Sequence, residues 1–158
     1  MCALNADRAV TGLYLTHYRP LVRMAALLVQ DLATAEDIVQ DSFVAVHAAW
    51  RRLPDADHAL SYLRRSVVDR SRAVLRQHVV VDKLAPDLPG IIEVERSAFI
   101  SALWNLPAQQ REVVVLRYFA DLPASQVASA TGISPGAVKV HAARALSSLR
   151  AELRKAGG

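Results

Sequence analysis

The chain predicts an all-α protein of two small helical domains joined by a flexible linker. Three observations carry this. Apolar residues recur at three- and four-residue steps through most of the 158 residues. Glycine (6) and proline (7) are few, and aromatics make up only 6%, so packed helices suit the composition better than a sheet sandwich. Periodicity is lost over residues 79–94, where Pro86, Pro89 and Gly90 interrupt the pattern. A loop of that length is unusual inside one compact domain. The chain therefore reads as a domain over 8–78, a linker over 79–94 and a second domain over 95–154. A short strand at 78–81 or 91–94 is the alternative within the linker.

Residues 13–29 read as one long helix or a helix pair. Leu15, Tyr18, Leu21, Val22, Ala25, Leu28 and Val29 fall at helical steps, and Pro20 marks a kink or a new start. Thr34 opens the next helix, with Asp37 three residues on in place of the usual capping-box Glu. Ile38, Val39, Phe43, Val46 and Trp50 form its apolar stripe. Asp37, Gln40, Asp41 and Val44 fall on a different face, as an acidic, partly apolar strip. After a break at 54–58, a third helix runs from about residue 59 to 78, with Leu60, Leu63, Val67, Val74 and Leu75 as its apolar side. Arg64, Arg65, Arg70, Arg72 and Arg76 crowd the remainder, giving several phosphate-capable forks on one element.

In the second domain, residues 95–105 predict a helix with Phe99, Ile100, Leu103 and Trp104 inward, ended by Leu106-Pro107. Residues 108–120 predict another, carrying Val113, Leu116 and Tyr118 or Phe119 on its apolar side. Residues 122–149 are the most informative stretch: helix, tight turn, helix. Pro123 is placed at the first helical position, and Val127 and Ala130 are apolar at helical spacing. Thr131-Gly132 ends that helix, since glycine takes the left-handed conformation cheaply. Ile133 plugs the turn, Ser134 is the N-cap of the next helix and Pro135 follows it. Val138, Ala142, Ala145, Leu146 and Leu149 share a stripe, with Lys139, His141, Arg144 and Ser148 largely off it. That is the layout of a recognition helix for a DNA major groove. A helical hairpin with a solvated basic face is the bland alternative.

Charge is distributed in blocks. The net charge of +4 resolves into −2 over 1–50, +4 over 51–79, −2 over 80–133 and +4 over 134–158. Two separated basic surfaces suggest two phosphate-contacting sites, because bound cations release counterions from nucleic acid. Ordinary solvated helix faces would give the same sums.

Several functions are disfavoured. The single Cys2 excludes an internal disulfide framework and a cysteine zinc site, and fits a reducing cytosol. Neither a signal-peptide core near the start nor a run of roughly 20 apolar residues is found, so a cytoplasmic chain without membrane insertion is expected. His17, His47, His58, His78 and His141 are scattered over separate elements. No glycine-rich phosphate loop or Ser-His-Asp arrangement stands out, so no catalytic residue, metal or cofactor is assigned and an enzyme is not expected.

Four segments in order, YRPLVRMAALLVQD (18–31), AEDIVQDSFVAVHAAW (35–50), SYLRRSVVDRSRAVLR (61–76) and residues 106–150, resemble bacterial alternative sigma factors of the extracytoplasmic-function group of the sigma-70 family. The similarity is greatest to the actinobacterial sigma-E-like type. It implies a sigma region 2 domain followed by a region 4 domain. It implies docking on the β′ clamp helices of core RNA polymerase through Asp37, Gln40, Asp41 and Val44, with the β flap as a further polymerase contact. It implies reading of a proximal melted promoter element by the loop and helix around Tyr62, Arg64, Arg65, Asp69, Arg72 and Arg76. Asp69 stands where the family leads one to expect asparagine. An aspartate there could accept from a cytosine amino group or pair with Arg65 or Arg72. The distal duplex element would fall to Ser134, Pro135, Gly136, Lys139, Val140 and Arg144, with Arg117 and Gln126 supporting. An anti-sigma factor is the usual further partner.

The competing function is a stand-alone helix-turn-helix regulator with an N-terminal dimerisation domain. A sigma factor needs the acidic strip for polymerase, whereas such a regulator needs a self-complementary apolar face.

Overall fold

The computed structural model describes residues 2–77 and 94–157. Among the described residues seven α-helices form, in two compact units, Met1–Pro86 and Asp87–Gly158. No strand occurs among the described residues. The strand alternative over 78–81, and the linker and the other strand alternative apart from Val94, lie outside them; Val94 itself is helical.

The first unit is a three-helix assembly of α1 (Cys2–Val29), α2 (Leu32–Ala49) and α3 (Ala56–Gln77), each packed on the other two. α1 begins earlier than the periodicity suggests and is a single helix with Pro20 inside it. Proline removes the hydrogen bond to the Thr16 carbonyl, but Thr16 and Pro20 are both exposed, where solvent can satisfy it. The added N-terminal turns are anchored by buried Ala6 and by Asp7, whose carboxylate lies 2.6 Å from His47 Nε2 on α2. The run from Met24 through Val29 is wholly buried because both neighbouring helices cover it. Ile38, Val39, Phe43 and Val46 of α2 and Leu63, Val67 and Val68 of α3 complete this core. Tyr14 links the layers, stacking on Tyr18 at 4.6 Å and meeting Phe43 edge-on at 5.1 Å.

Two helix starts correct the sequence expectation. α2 is capped by Asp31, not Thr34: the Asp31 carboxylate accepts the Thr34 backbone N–H at 3.0 Å and the Thr34 hydroxyl as well. α3 opens at Ala56, with Asp55 accepting the His58 N–H at 2.8 Å. In both places an aspartate lies one turn upstream of the expected start, and a side-chain acceptor satisfies an otherwise orphaned amide.

The second unit comprises α4 (Val94–Trp104), α5 (Ala108–Val114), α6 (Ala124–Thr131) and α7 (Pro135–Gly157), with α4, α5 and α6 all packed on α7. Leu103, Val113, Val115, Leu116, Val127, Val138 and Ala145 are among its most buried side chains, and Phe99 and Trp104 are only partly covered. The helix expected over 108–120 changes pitch. From Val115 to Phe119 it widens into a π turn, with Ala120 N–H donating to Val115 O at 2.9 Å. The wider turn keeps Val115 and Leu116 buried but leaves both Tyr118 and Phe119 at 48% exposure, so neither is on the buried stripe. Asp121 then turns the chain with a φ of 56°.

Candidate polymerase and nucleic-acid interfaces

On α2 the side chains at steps of three and four split cleanly. Ala35, Ile38, Val39, Ser42, Phe43, Val46 and Ala49 are buried. Asp37, Gln40, Asp41 and Val44, at spacing i, i+3, i+4 and i+7, are all exposed and share one side of the helix. Val44 stands 68% exposed one turn beyond Asp41, an apolar anchor at the end of the acidic strip. Ser42 tolerates burial because its hydroxyl donates to the Ile38 carbonyl at 2.8 Å. The strip borders α1 through Gln40, whose hydrogen bond to the Tyr18 phenol partly offsets the burial that raises that phenol's pKa.

α3 gathers some of the residues assigned to the proximal element and separates others. An open concavity of about 360 Å³ is lined by Ala45 of α2 and by Tyr62, Arg65, Ser66, Asp69, Arg70 and Ala73 of α3. Asp69 is held between two arginines: Arg65 Nε donates to its carboxylate oxygens at 3.3 and 3.4 Å, and Arg72 Nη1 lies 3.9 Å away. Arg70, which lines the same hollow, donates from Nε to Ser66 Oγ at 3.1 Å. Arg65, Asp69, Arg72 and Arg76 follow one stripe at steps of four, three and four.

Arg64 does not belong to that stripe. It is half-buried toward α1, where burial pulls the guanidinium below its ordinary pKa and Asp57 opposes the shift. Burial, with the Arg64 charge second, also disfavours the protonated form of His17.

In the second unit the turn between α6 and α7 is built as the sequence predicts. Gly132 ends α6 with φ 80°, a left-handed conformation costly for any residue with a Cβ. Ser134 Oγ accepts the Ala137 N–H at 3.1 Å and caps α7. Thr131 is buried with its hydroxyl donating to Val127 O at 2.7 Å. Pro123 sits just before α6 rather than within it; its extended ψ of 157° makes it the cap position. Along α7, Val138, Ala145 and Leu149 face the core, while Ser134, Pro135, Gly136, Lys139, Val140 and Arg144 are exposed. A Cβ built on Gly136 would meet only Ser134 Oγ, at 4.0 Å, so a docking surface can come close to this backbone. Gln126 is exposed on α6, and Arg117 lies over the Tyr118 ring at 5.5 Å.

Sequence reasoning missed the buried Arg111. Its guanidinium lies 4.4 Å over the Trp104 ring and donates to the Trp104 carbonyl at 3.3 Å. Burial lowers its pKa, opposed by neighbouring Glu112. A charged pair in an exposed-looking stretch carries no periodic signal that would separate it from solvated residues.

An all-helical fold among the described residues, with an exposed acidic strip, an arginine-rich helix beside it and a capped helix-turn-helix in a second unit, fits a DNA-directed transcription initiation subunit. Comparisons with known proteins agree. The family description "Sigma-70 region 2" matches residues 13–79, and "Sigma-70, region 4" matches residues 96–149. The RNA polymerase sigma-E factor of Streptomyces coelicolor is 33% identical over 146 residues, covering 87% of this chain and 82% of the relative. The extracytoplasmic-function sigma factor ShbA of Streptomyces griseus is 30% identical, covering 94% and 90%. The solved structure of CnrH in complex with the cytosolic domain of CnrY superposes with a TM-score of 0.76 at 26% identity, covering 98% of this chain and 96% of that one. The chain belongs to the extracytoplasmic-function group of the sigma-70 family. It is a sigma factor and not a stand-alone regulator, because both halves match in order. No helix among the described residues is long and apolar enough to cross a membrane.

Proposed function

We propose that the two units divide the work of promoter-specific initiation, with the polymerase supplying all the chemistry. The exposed strip Asp37, Gln40, Asp41 and Val44 docks on the β′ clamp helices of core RNA polymerase. The stripe Tyr62, Arg65, Asp69, Arg72 and Arg76 contacts the melted proximal element. Arg64 supports α3 from the α1 side. Ser134, Pro135, Gly136, Lys139, Val140 and Arg144 read the distal duplex, aided by Arg117 and Gln126, and the second unit also meets the β flap. The chain acts in the cytoplasm and is restrained by an anti-sigma factor.

The observation that carries this reading is the separation on α2: Ile38, Val39, Phe43 and Val46 are buried, while an acidic strip with the apolar Val44 stands outward. A dimerisation face would require the reverse. Helix packing on a partner wants an apolar anchor together with polar groups that stay at the rim.

Transcription reconstituted from core polymerase, this chain and a library of bacterial promoter fragments tests it. Transcripts that require the chain and start downstream of a shared pair of sequence elements are expected. Starts that do not depend on the chain would overturn it.

A further inference from the structure

The concavity between α2 and α3 holds the Asp69 carboxylate, an anion among the arginines of the surface proposed to meet the DNA strand. Three features give it a role. The hollow of about 360 Å³ is open, and Tyr62 contributes an aromatic wall to it. Unstacked bases lie readily on aromatic rings and on guanidinium planes. The Arg65 guanidinium is fixed on Asp69 by contacts to both carboxylate oxygens at 3.3 and 3.4 Å, with Arg72 at 3.9 Å on one of them. The Asp69 side chain nonetheless remains 52% exposed. A carboxylate has about four lone-pair positions and no proton to give. These three long arginine contacts do not use up the acceptor positions of a carboxylate that is half open to solvent.

An acceptor-only group beside an aromatic wall discriminates among bases. Cytosine, adenine and guanine each offer an exocyclic amino group, and Asp accepts well from the cytosine amino group. Thymine offers one ring N–H flanked by two carbonyl oxygens, which a carboxylate repels. We propose that Asp69 is a specificity-determining residue that admits an amino-bearing base, cytosine above all, to this concavity and disfavours thymine. This rests on the reading of α3 as the melted-strand surface. Asparagine would not discriminate in this way, because its amide can turn an N–H₂ toward a thymine carbonyl.

The test uses the full chain bound to bacterial core polymerase and a fluorescent single strand of dT, with or without one central dC. A homopolymer can shift its register, so a single dC can find the pocket wherever it lies. The wild type should bind the dC strand about tenfold more tightly than all-dT, the scale of one base-edge contact. Asp69→Asn, near-isosteric, should abolish most of that preference while leaving helix content unchanged. Asp69→Ala should abolish it and bind all-dT more tightly, with a steeper salt dependence, because an anion is removed from beside Arg65 and Arg72. An unchanged dC preference in both variants would place the base reader elsewhere. Equal weakening for both strands would reduce Asp69 to a holder of Arg65 and Arg72. Either result overturns the proposal while leaving the strand surface standing. If the chain adds no strand binding to core polymerase, and Tyr62→Ala and Arg76→Ala change nothing, the strand surface itself fails, and the proposal fails with it.

Discussion

The Arg111 guanidinium stacks over Trp104 at 4.4 Å and returns a hydrogen bond to the Trp104 carbonyl at 3.3 Å, joining the end of α4 to α5. The Trp104 carbonyl lies at a helix C-terminus, where the last carbonyls have no helical donor. One cation therefore satisfies a backbone acceptor and covers an aromatic face. Arg111→Met keeps much of the volume but removes both interactions. It should destabilise the second unit by about 1–3 kcal/mol, the combined scale of a partly desolvated cation–π contact and a charged hydrogen bond. Arg111→Lys should recover only part, since an ammonium cannot stack as a plane. Urea unfolding followed by tryptophan fluorescence checks both. Wild-type stability in Arg111→Met would refute the role.

Asp31 makes a pH prediction. Hydrogen bonds from Thr34, the hydroxyl first and then the backbone N–H, hold its carboxyl below the ordinary aspartate pKa. The folded pKa is thus depressed relative to the unfolded one. The cap's ionic contribution is complete above the unfolded value and is lost as pH falls through the folded one. At neutral pH Asp31→Ala should cost about 1 kcal/mol, as helix N-caps do. The gap between variant and wild type should narrow below about pH 4, the usual aspartate value. Thermal unfolding at several pH values measures it; a gap that widened with acid would contradict the assignment.

Lys139 and Arg144 stand exposed on α7 away from buried Val138 and Ala145. Lys139→Ala with Arg144→Ala should weaken promoter duplex binding and reduce the slope of affinity against salt by about 2, one per lost phosphate contact. Core polymerase binding should not change. Equal loss of both activities in folded protein would break the division of labour between the units.

Much of this was legible because it depends on local chemistry. Gly132 sits at a left-handed φ that few residues adopt and Ser134 where a side-chain acceptor caps the next helix, so their types locate the turn. The outward strip of α2 is visible because Ile38, Val39, Phe43 and Val46 leave it only one side of the helix. What was not legible depends on competition between neighbours. Asp31 and Thr34 are both good caps, and only the geometry of the preceding turn, with Gln30 at φ 64°, decides for Asp31. The π turn at Val115 hides in a run of valines that any helical pitch could bury. Arg64 looks like its four arginine neighbours until it is seen to be half-buried, with its charge acting on His17 of α1.

The central claim is that α2 presents a polymerase-docking face. Co-elution of the purified chain with bacterial core RNA polymerase on a sizing column, at a stated moderate salt, tests it most directly, because a basic chain also sticks non-specifically at low salt. The wild type should form a stoichiometric complex. Reversal of Asp37 and Asp41 to Lys, both exposed and away from the core, should abolish that complex without unfolding the chain. A complex that survives the double reversal would contradict the account.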